Sequence, residues 1–168
     1  MHWLYIPLTL LLFYFFLIFT IAPRVVPFMR KKPIGRVPRE VDEVVKRLER
    51  RSKTPHDYIR ECADHILSDK HCARIKAFFI FPRALERNLS VLFKRRGFLH
   101  CNHLNQLMRV MLARSKFFSD DDIRIRTVFL NFFVHQYLQV RVAGQWYDVD
   151  LGADHFGIPL GKHAWGFR

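Results

Sequence analysis

Hydrophobic residues recur with a helical period through the first half of the chain. Over residues 39–51, valine and leucine side chains fall on one helical face and charged side chains fall on the others. A second amphipathic pattern follows Thr54 and Pro55, a threonine that can cap a helix and a proline that fits its first turn. A third helix is predicted over residues 101–115. Its apolar face consists of Leu104, Leu107, Met108, Met111 and Leu112.

The second half of the chain alternates between apolar and polar residues, which is the pattern of half-buried strands. Residues 123–130 form one such run. Another run begins at His135, Ala143 and Gly144 supply a turn, and a further run returns over residues 145–151. The last two runs predict a β-hairpin. Because the helices precede the strands, the predicted fold class is α+β, with helices packed on an antiparallel sheet.

Residues 3–22 are apolar apart from Pro7, Thr9 and Thr20, and they predict a different kind of element. Residues 3–22 include no charged side chain, and twenty helical residues span about 30 Å, the hydrocarbon thickness of a bilayer. A cleaved signal peptide is the alternative, but the stretch lacks a basic leader and is long for a signal core. The sequence therefore predicts a retained transmembrane anchor over residues 1–22, a basic, proline-rich juxtamembrane linker over residues 23–38, and one domain over residues 39–168.

Charge determines the expected orientation and partners. The formal net charge is +13, and many basic residues follow the apolar stretch, whereas only Met1 and His2 precede it. By the positive-inside rule, the prediction is a single-pass protein of the cell membrane whose domain faces the cytoplasm, with anionic lipid head groups beside the basic linker. Nucleic acid is not favoured, because no binding module is recognisable. The three cysteines, an odd number, favour reduced thiols over a disulfide framework.

Candidate chemistry is concentrated in three residues. Cys101 starts the third predicted helix, where the positive end of the helix dipole favours the thiolate, which is the nucleophilic form. His135 and Asp150 lie at the far ends of the two hairpin strands, so antiparallel pairing can bring them within hydrogen-bond distance. A carboxylate so placed would orient the imidazole as a general base. Asp148 competes with Asp150, since residues two apart on a strand share a face.

The order of these residues resembles that of the transglutaminase-like cysteine enzymes, a superfamily with a papain-like architecture. Gly97 precedes Cys101 by four residues, His135-Gln-Tyr heads a strand, and Trp146-Tyr-Asp-Val-Asp150 matches the closing motif of the superfamily. The resemblance favours Asp150 over Asp148. It implies a cysteine-nucleophile amide hydrolase or acyltransferase acting on peptide or protein amides through a thioester. Cys101 would be the nucleophile, His135 the base and then the acid, and Asp150 the orienting group.

Two alternatives remain open. The segment Arg96-Gly97-Phe-Leu-His-Cys101-Asn-His103-Leu-Asn105, together with Val149-Asp150-Leu-Gly152, is similar to motifs of the arylamine N-acetyltransferases, although His103 replaces a glutamate of that branch. That resemblance implies acyl transfer from acetyl-coenzyme A. The other alternative is a catalytically silent, membrane-anchored interaction module. The sequence does not indicate an oligomeric state.

Other histidines and cysteines do not suggest a further site. The chemistry requires no cofactor, and no metal site is predicted, because the nearby residues lack paired ligands at structural-zinc spacing. Those residues are His71, Cys72, His100, Cys101 and His103. The triplet His163-Ala-Trp165 spells the usual histidine motif of the transglutaminase-like enzymes, but only three residues follow it. The expectation is therefore that His163 is not the catalytic histidine.

Overall fold

The computed structural model describes residues 5–130 and 133–165. Within them, α-helices alternate with short connections up to the sheet. A π-helical turn, Leu17–Ile21, joins the first two helices, and 3₁₀ turns occur at Phe81–Leu85 and Asp120–Asp122. The helices are α1 (Tyr5–Phe16), α2 (Ala22–Val25), α3 (Arg39–Arg51), α4 (Pro55–Leu67), α5 (Arg74–Phe79), α6 (Leu89–Lys94), α7 (Cys101–Ala113) and α8 (Leu151–His155).

The strands form two sheets. Strand β1 (Lys70–His71) pairs in parallel with β2 (Gly97–Phe98). The larger sheet is antiparallel in the order β3-β4-β5. Its strands are β3 (Ile123–Leu130), β4 (Phe133–Val142) and β5 (Gln145–Val149). With helices packed against this sheet, the molecule is α+β.

The hairpin of β4 and β5 closes through a two-residue turn, as predicted. Val142 pairs with Gln145, and the intervening Ala143 and Gly144 have φ values of 49° and 81°. Positive φ at both positions is the requirement of a type I′ turn, which matches the twist of the flanking strands. The predicted return strand extends to residue 151, whereas β5 ends at Val149, because the next residue caps a helix.

The core is built around α7. Each residue from Asn102 to Leu112 is buried, so this helix is enclosed by the rest of the domain rather than exposed on one side. It packs against β4, α4 and α3. The predicted apolar stripes of the earlier helices face it: Val41, Val45 and Leu48 of α3, and Tyr58, Ile59, Cys62, Ala63 and Ile66 of α4. Burial of α7 fixes the position of its first residue, Cys101.

The predicted start of α4 is confirmed. The Thr54 side chain accepts a hydrogen bond from the Asp57 N–H at 3.1 Å, and the Asp57 carboxylate accepts one from the Thr54 N–H at 3.0 Å. This reciprocal pair is a capping box, and Pro55 occupies the first helical turn. The cap satisfies donors that the first turn leaves unpaired.

The predicted transmembrane anchor is wrong. Helix α1 has 12 residues, about 18 Å at 1.5 Å per residue, and the backbone then changes to π-helical winding at Leu17. Across the described residues, none of the helices combines the length and the apolar character that a bilayer crossing demands. Residues 1–4 of the proposed anchor lie outside the described residues. The single-pass location in the cell membrane, the cytoplasmic orientation of the domain and the membrane as a partner rested on this anchor and are corrected with it.

The proline-rich segment after α2 lies against the domain and is held there by side chains of α7 and β4. The Asn102 amide donates to the Pro27 carbonyl at 2.9 Å, and the Gln136 amide donates to the Met29 carbonyl at 3.0 Å. Both amide side chains are buried. Because buried donors need partners, these bonds fix the path of the segment across the end of α7.

Arg109 is a buried charge that ties three parts of the chain together. Its side chain is 2% exposed, and its Nε and Nη2 donate to the two carboxylate oxygens of Asp120 at 2.8 and 2.7 Å. Nη2 also donates to the Lys32 carbonyl at 2.7 Å. A bidentate pair of this kind is strong and directional, since both oxygens and both nitrogens are engaged.

We expect Asp120→Ala to lower the free energy of unfolding by about 3 kcal/mol, because it leaves the Arg109 guanidinium buried without its counter-ion. Urea unfolding would measure the change. Asp42→Ala is the matched control: it removes a carboxylate bonded to Arg114, whose side chain is 51% exposed, and should cost less than about 1 kcal/mol. Equal losses in the two variants would contradict this account of Arg109.

Candidate active site

Cys101 is the first residue of α7. The preceding His100 is extended, with φ −72° and ψ 154°, and its carbonyl accepts from the N–H groups of His103 and Leu104. The helix therefore begins sharply at the cysteine. Cys101 is half-buried, whereas Cys62 and Cys72 are buried. Its thiol lies at the positive end of a 13-residue helix.

His135 and Asp150 are in direct contact. His135 lies on β4, where it pairs with Val128 of β3, and Asp150 follows the end of β5. The imidazole Nε2 and the Asp150 Oδ2 are 2.7 Å apart. Both residues are buried, at 7% and 1% exposure. The hairpin register accounts for the contact, because it brings the two strand ends together although 15 residues separate them along the chain.

The Asp150 carboxylate is held by two backbone donors besides His135. Its Oδ1 accepts from the Ala153 N–H at 2.9 Å, which makes Asp150 the N-cap of α8. Its Oδ2 accepts from the Ala164 N–H at 3.1 Å. An ionised carboxylate only accepts hydrogen bonds, so the His135 Nε2 carries the proton that it donates to Oδ2. This leaves the imidazole Nδ1 to interact with other groups.

The pKa of His135 depends on both Asp150 and Cys101. Burial alone would lower the pKa of the imidazole, since it disfavours the charged form. The hydrogen bond to the Asp150 carboxylate, together with the electrostatic influence of the nearby Cys101 and Asp150, outweighs burial and raises the pKa of His135 to about 10. The charged imidazolium is therefore the favoured form at neutral pH.

Gly152 lies against the His135 ring. A Cβ atom added at this glycine would lie 3.1 Å from the imidazole Cε1 and 3.4 Å from the Asp150 Oδ1. A contact of 3.1 Å is closer than carbon atoms normally approach, so only glycine allows the backbone to pack here without displacing the ring. The turn after Asp150 thus restricts the position of the imidazole.

Asp148, the competing carboxylate, has a different partner. Its Oδ2 lies 2.6 Å from the His163 Nδ1, and its Oδ1 accepts from the Gln139 amide at 2.9 Å. The His163 ring stacks on Tyr137, with centroids 4.3 Å apart. The triplet that begins at His163 therefore contributes to the site through its backbone, because the Ala164 N–H is the group that contacts Asp150.

The histidines around the start of α7 bond to backbone carbonyls. His100 Nε2 lies 3.2 Å from the Ile80 carbonyl, and His103 Nε2 lies 3.1 Å from the Glu86 carbonyl. Burial, assisted by the neighbouring His100, lowers the pKa of His103 to about 4. His103 is therefore a neutral group where the acetyltransferase motif has a glutamate. Over the described residues, no cluster of three or more histidine, cysteine or carboxylate side chains could hold a metal ion.

A cavity of about 290 Å³ opens beside Cys101 and His135. Most of its wall is apolar, and the segment around α2 contributes Ala22, Val26 and Met29 to it. Cys72 and Gln136 also line it. The thiol is therefore at the edge of a concave, mostly apolar space, which is the usual environment of a small-ligand site.

The sequence did not indicate all of these contacts. Gly152 was visible within the Val149-to-Gly152 motif, but its packing on the imidazole was not. The Ala164 N–H and the Gln136 side chain had no local signal, because each contacts the site through a long-range bond.

Comparisons with known proteins bear on the fold alone. No protein-family model matches the sequence, and no curated protein is significantly similar to it. Among solved structures, the crystal structure of a TGase is similar, with a TM-score of 0.53 and 11% sequence identity. The match covers 76% of this chain and 39% of that protein, so the chain spans about two fifths of its length. The arylamine N-acetyltransferase resemblance gains no support from these comparisons. What they establish is that the chain has a transglutaminase-like fold.

Proposed function

We propose that the protein is a cysteine-nucleophile amide hydrolase or acyltransferase in which Cys101, His135 and Asp150 act together. The observation that supports it most is the buried hydrogen bond of 2.7 Å between His135 and Asp150, at a cavity that Cys101 also lines. A carboxylate that fixes one ring nitrogen leaves the other available to take the proton of a nearby thiol, which is how a nucleophile is activated in a catalytic triad. The transglutaminase-like fold agrees with this proposal.

The proposed reaction has two stages. The Cys101 sulfur attacks the carbonyl carbon of an amide, the S–C bond forms, and the C–N bond breaks as His135 gives its proton to the departing nitrogen. Water or a second amine then attacks the thioester, His135 takes the proton of that nucleophile, and the C–S bond breaks to release the acyl product. Asp150 keeps the imidazole in one orientation throughout.

The start of α7 would also stabilise the transition state. At the start of α7 the first backbone hydrogen bonds are those of the His103 and Leu104 N–H groups with the His100 carbonyl, so the N–H groups of Cys101 and Asn102 have no partner within the helix and point out of its N-terminal end. The Cys101 N–H is the donor that we assign to the oxyanion of the tetrahedral intermediate. The adjacent apolar cavity would receive the acyl group, for which we take peptide or protein amides as the substrate class.

Thiol alkylation tests the proposal without knowledge of the substrate. We expect iodoacetamide at pH 7.5 to alkylate Cys101 at least about tenfold faster than Cys62 or Cys72, because an imidazolium beside the sulfur stabilises the thiolate. Cys62 is a matched internal reference, since burial raises the pKa of its thiol to about 12. Peptide mass spectrometry would give the three rates.

The His135→Ala variant shows whether Cys101 reacts faster because His135 activates its thiol or only because the thiol is more exposed. It should remove most of the Cys101 advantage, whereas His56→Ala, at an exposed position of α4, should leave it unchanged. Equal alkylation of the three cysteines, or a fast Cys101 rate that survives His135→Ala, would favour a catalytically silent interaction module instead.

A further inference from the structure

A second cavity, of about 370 Å³, lies beside the proline-rich segment and is separate from the thiol. Basic side chains dominate its polar lining, and none of its lining residues is acidic. The cations come from three parts of the chain: Arg24, Arg30, Lys32 and Arg36 around the segment, Arg87 before α6, and Arg109 of α7. We call this space the arginine cavity. Its volume is in the range of sites for small organic ligands.

Most of these cations lack a counter-ion within the described part of the chain. Arg109 pairs with Asp120, and Arg24 donates to the Thr20 carbonyl at 2.6 Å. Arg30, Lys32, Arg36 and Arg87 form no ion pair with any described carboxylate. An anion that enters this cavity is attracted by several cations at once. Its negative charge also reduces the repulsion between the cations around the cavity.

The neighbouring carboxylates do not neutralise the cavity. Glu86 accepts hydrogen bonds from the backbone N–H groups of Arg87 and Asn88, at 2.9 and 2.8 Å, and lies 4.0 Å from Arg95. Asp120 is bonded to Arg109 and Lys31. Both carboxylates therefore have partners of their own. The four cations without an ion pair, Arg30, Lys32, Arg36 and Arg87, are available to a ligand.

Buried hydrogen bonds hold the backbone beside the arginine cavity in place. Arg109 is 2% exposed, and its guanidinium binds the Lys32 carbonyl at 2.7 Å, while Asn102 binds the Pro27 carbonyl at 2.9 Å. These buried bonds hold the basic segment in a bent path, so its side chains surround one space instead of spreading along an extended linker. A basic segment whose backbone is already held loses less conformational entropy when it binds an anion than a free linker would.

We propose that the arginine cavity binds a small organic polyphosphate, a ligand with at least two linked phosphate groups. Arginine is the residue best suited to this task, since its planar guanidinium can donate two parallel hydrogen bonds to one phosphate. Three unpaired arginines and a lysine match the three to four negative charges of a pyrophosphate group. Nucleic acid and anionic lipid present similar phosphates, but a concave space of this volume favours a single small ligand.

Isothermal titration of the full chain with inorganic pyrophosphate in low salt tests the proposal. We expect saturable binding at about one site per chain. The Arg30→Ala/Arg36→Ala variant should weaken it at least about tenfold, because it removes two of the unpaired cations. Arg50→Ala/Arg51→Ala is the matched control: it changes the net charge by the same amount at the end of α3, and its affinity should stay within about twofold.

Arg87→Ala provides a second variant on a different segment, and we expect it to weaken pyrophosphate binding about fivefold or more. Three results would overturn the proposal. The first is the absence of saturable pyrophosphate binding by the folded protein. The second is an equal loss in both double variants, which would indicate general charge attraction. The third is binding of a single-stranded oligonucleotide or of phosphatidylserine vesicles through Arg30 and Arg36 without binding of pyrophosphate. None of these readouts depends on the chemistry of Cys101.

Discussion

On the proposed mechanism, we expect Cys101→Ser to lower kcat for amide hydrolysis by about 10³-fold or more while leaving the fold intact. A serine hydroxyl is nearly isosteric but ionises far less readily than a thiol, so the imidazole–carboxylate pair built for a thiolate would not activate it. Losses of this size are typical when the nucleophile of a cooperative catalytic unit is removed. Hydrolysis of aminocoumarin amides of apolar N-acetyl amino acids, followed by fluorescence, would measure the effect.

The control for this variant is Cys62→Ala, which removes a buried thiol on the apolar face of α4, away from the candidate site. We expect it to lower stability through the lost packing but to retain kcat. Comparable turnover by Cys101→Ser and the unmodified protein would contradict the assignment of the nucleophile.

Asp150→Asn will have the second largest effect, a fall in kcat of about 10³-fold with little change in KM. The carboxylate accepts the Nε2 proton of His135 at 2.7 Å, and an asparagine would present either a weaker acceptor or an N–H donor to the same ring. In the second case the imidazole would have to change tautomer, and its Nδ1 would lose the role of base. A substitution of this type reduces kcat by about 10⁴-fold in serine proteases.

Asp148→Asn is the matched control for Asp150→Asn. The two carboxylates lie two residues apart, and each bonds to one histidine, but the partner of Asp148 is His163, in the segment that follows α8. We expect Asp148→Asn to leave kcat within about threefold. If Asp148→Asn and Asp150→Asn reduced kcat equally, the role of Asp150 as the orienting group would be contradicted.

The contact between His135 and Asp150 could be anticipated because short-range rules determine it. Alternation of apolar and polar residues defines two strands, and the Ala143-Gly144 turn fixes their register, so the positions of the strand ends follow. The start of α7 at Cys101 was also visible in the helical period of the residues that follow it.

The contacts that hold Asp150 could not be predicted in the same way. Helix α8 begins immediately after this residue, whereas the sequence suggested that the strand continues to residue 151; the described part of the tail that follows α8 comprises residues 156–165. Only the tertiary path of the tail brings the Ala164 N–H to the carboxylate. The sequence likewise contained no signal that Gln136 would bond to the Met29 carbonyl, because 107 residues separate the two.

The anchor prediction failed because hydropathy measures composition and not the winding of the backbone. Residues 3–22 are apolar enough for a span, but α1 ends at Phe16 and a π-helical turn follows. Val26 and Met29, which follow, line the cavity next to Cys101. Part of what resembled a separate linker is thus a wall of the candidate site.

The central claim, that a thiol, an imidazole and a carboxylate act as one unit, is tested most directly by the ¹⁵N NMR titration of His135. Because its pKa is raised to about 10, the ring should remain a protonated imidazolium at pH 8.5, where a free histidine is neutral. Folding therefore favours the charged form, and this contribution to stability is complete below about pH 6.5 and is lost as the pH rises towards 10. In Cys101→Ala the pKa should fall clearly, since one of the groups that raises it is absent. A His135 ring that is neutral at pH 8.5 in the unmodified protein, or one whose titration is the same in Cys101→Ala, would contradict the account.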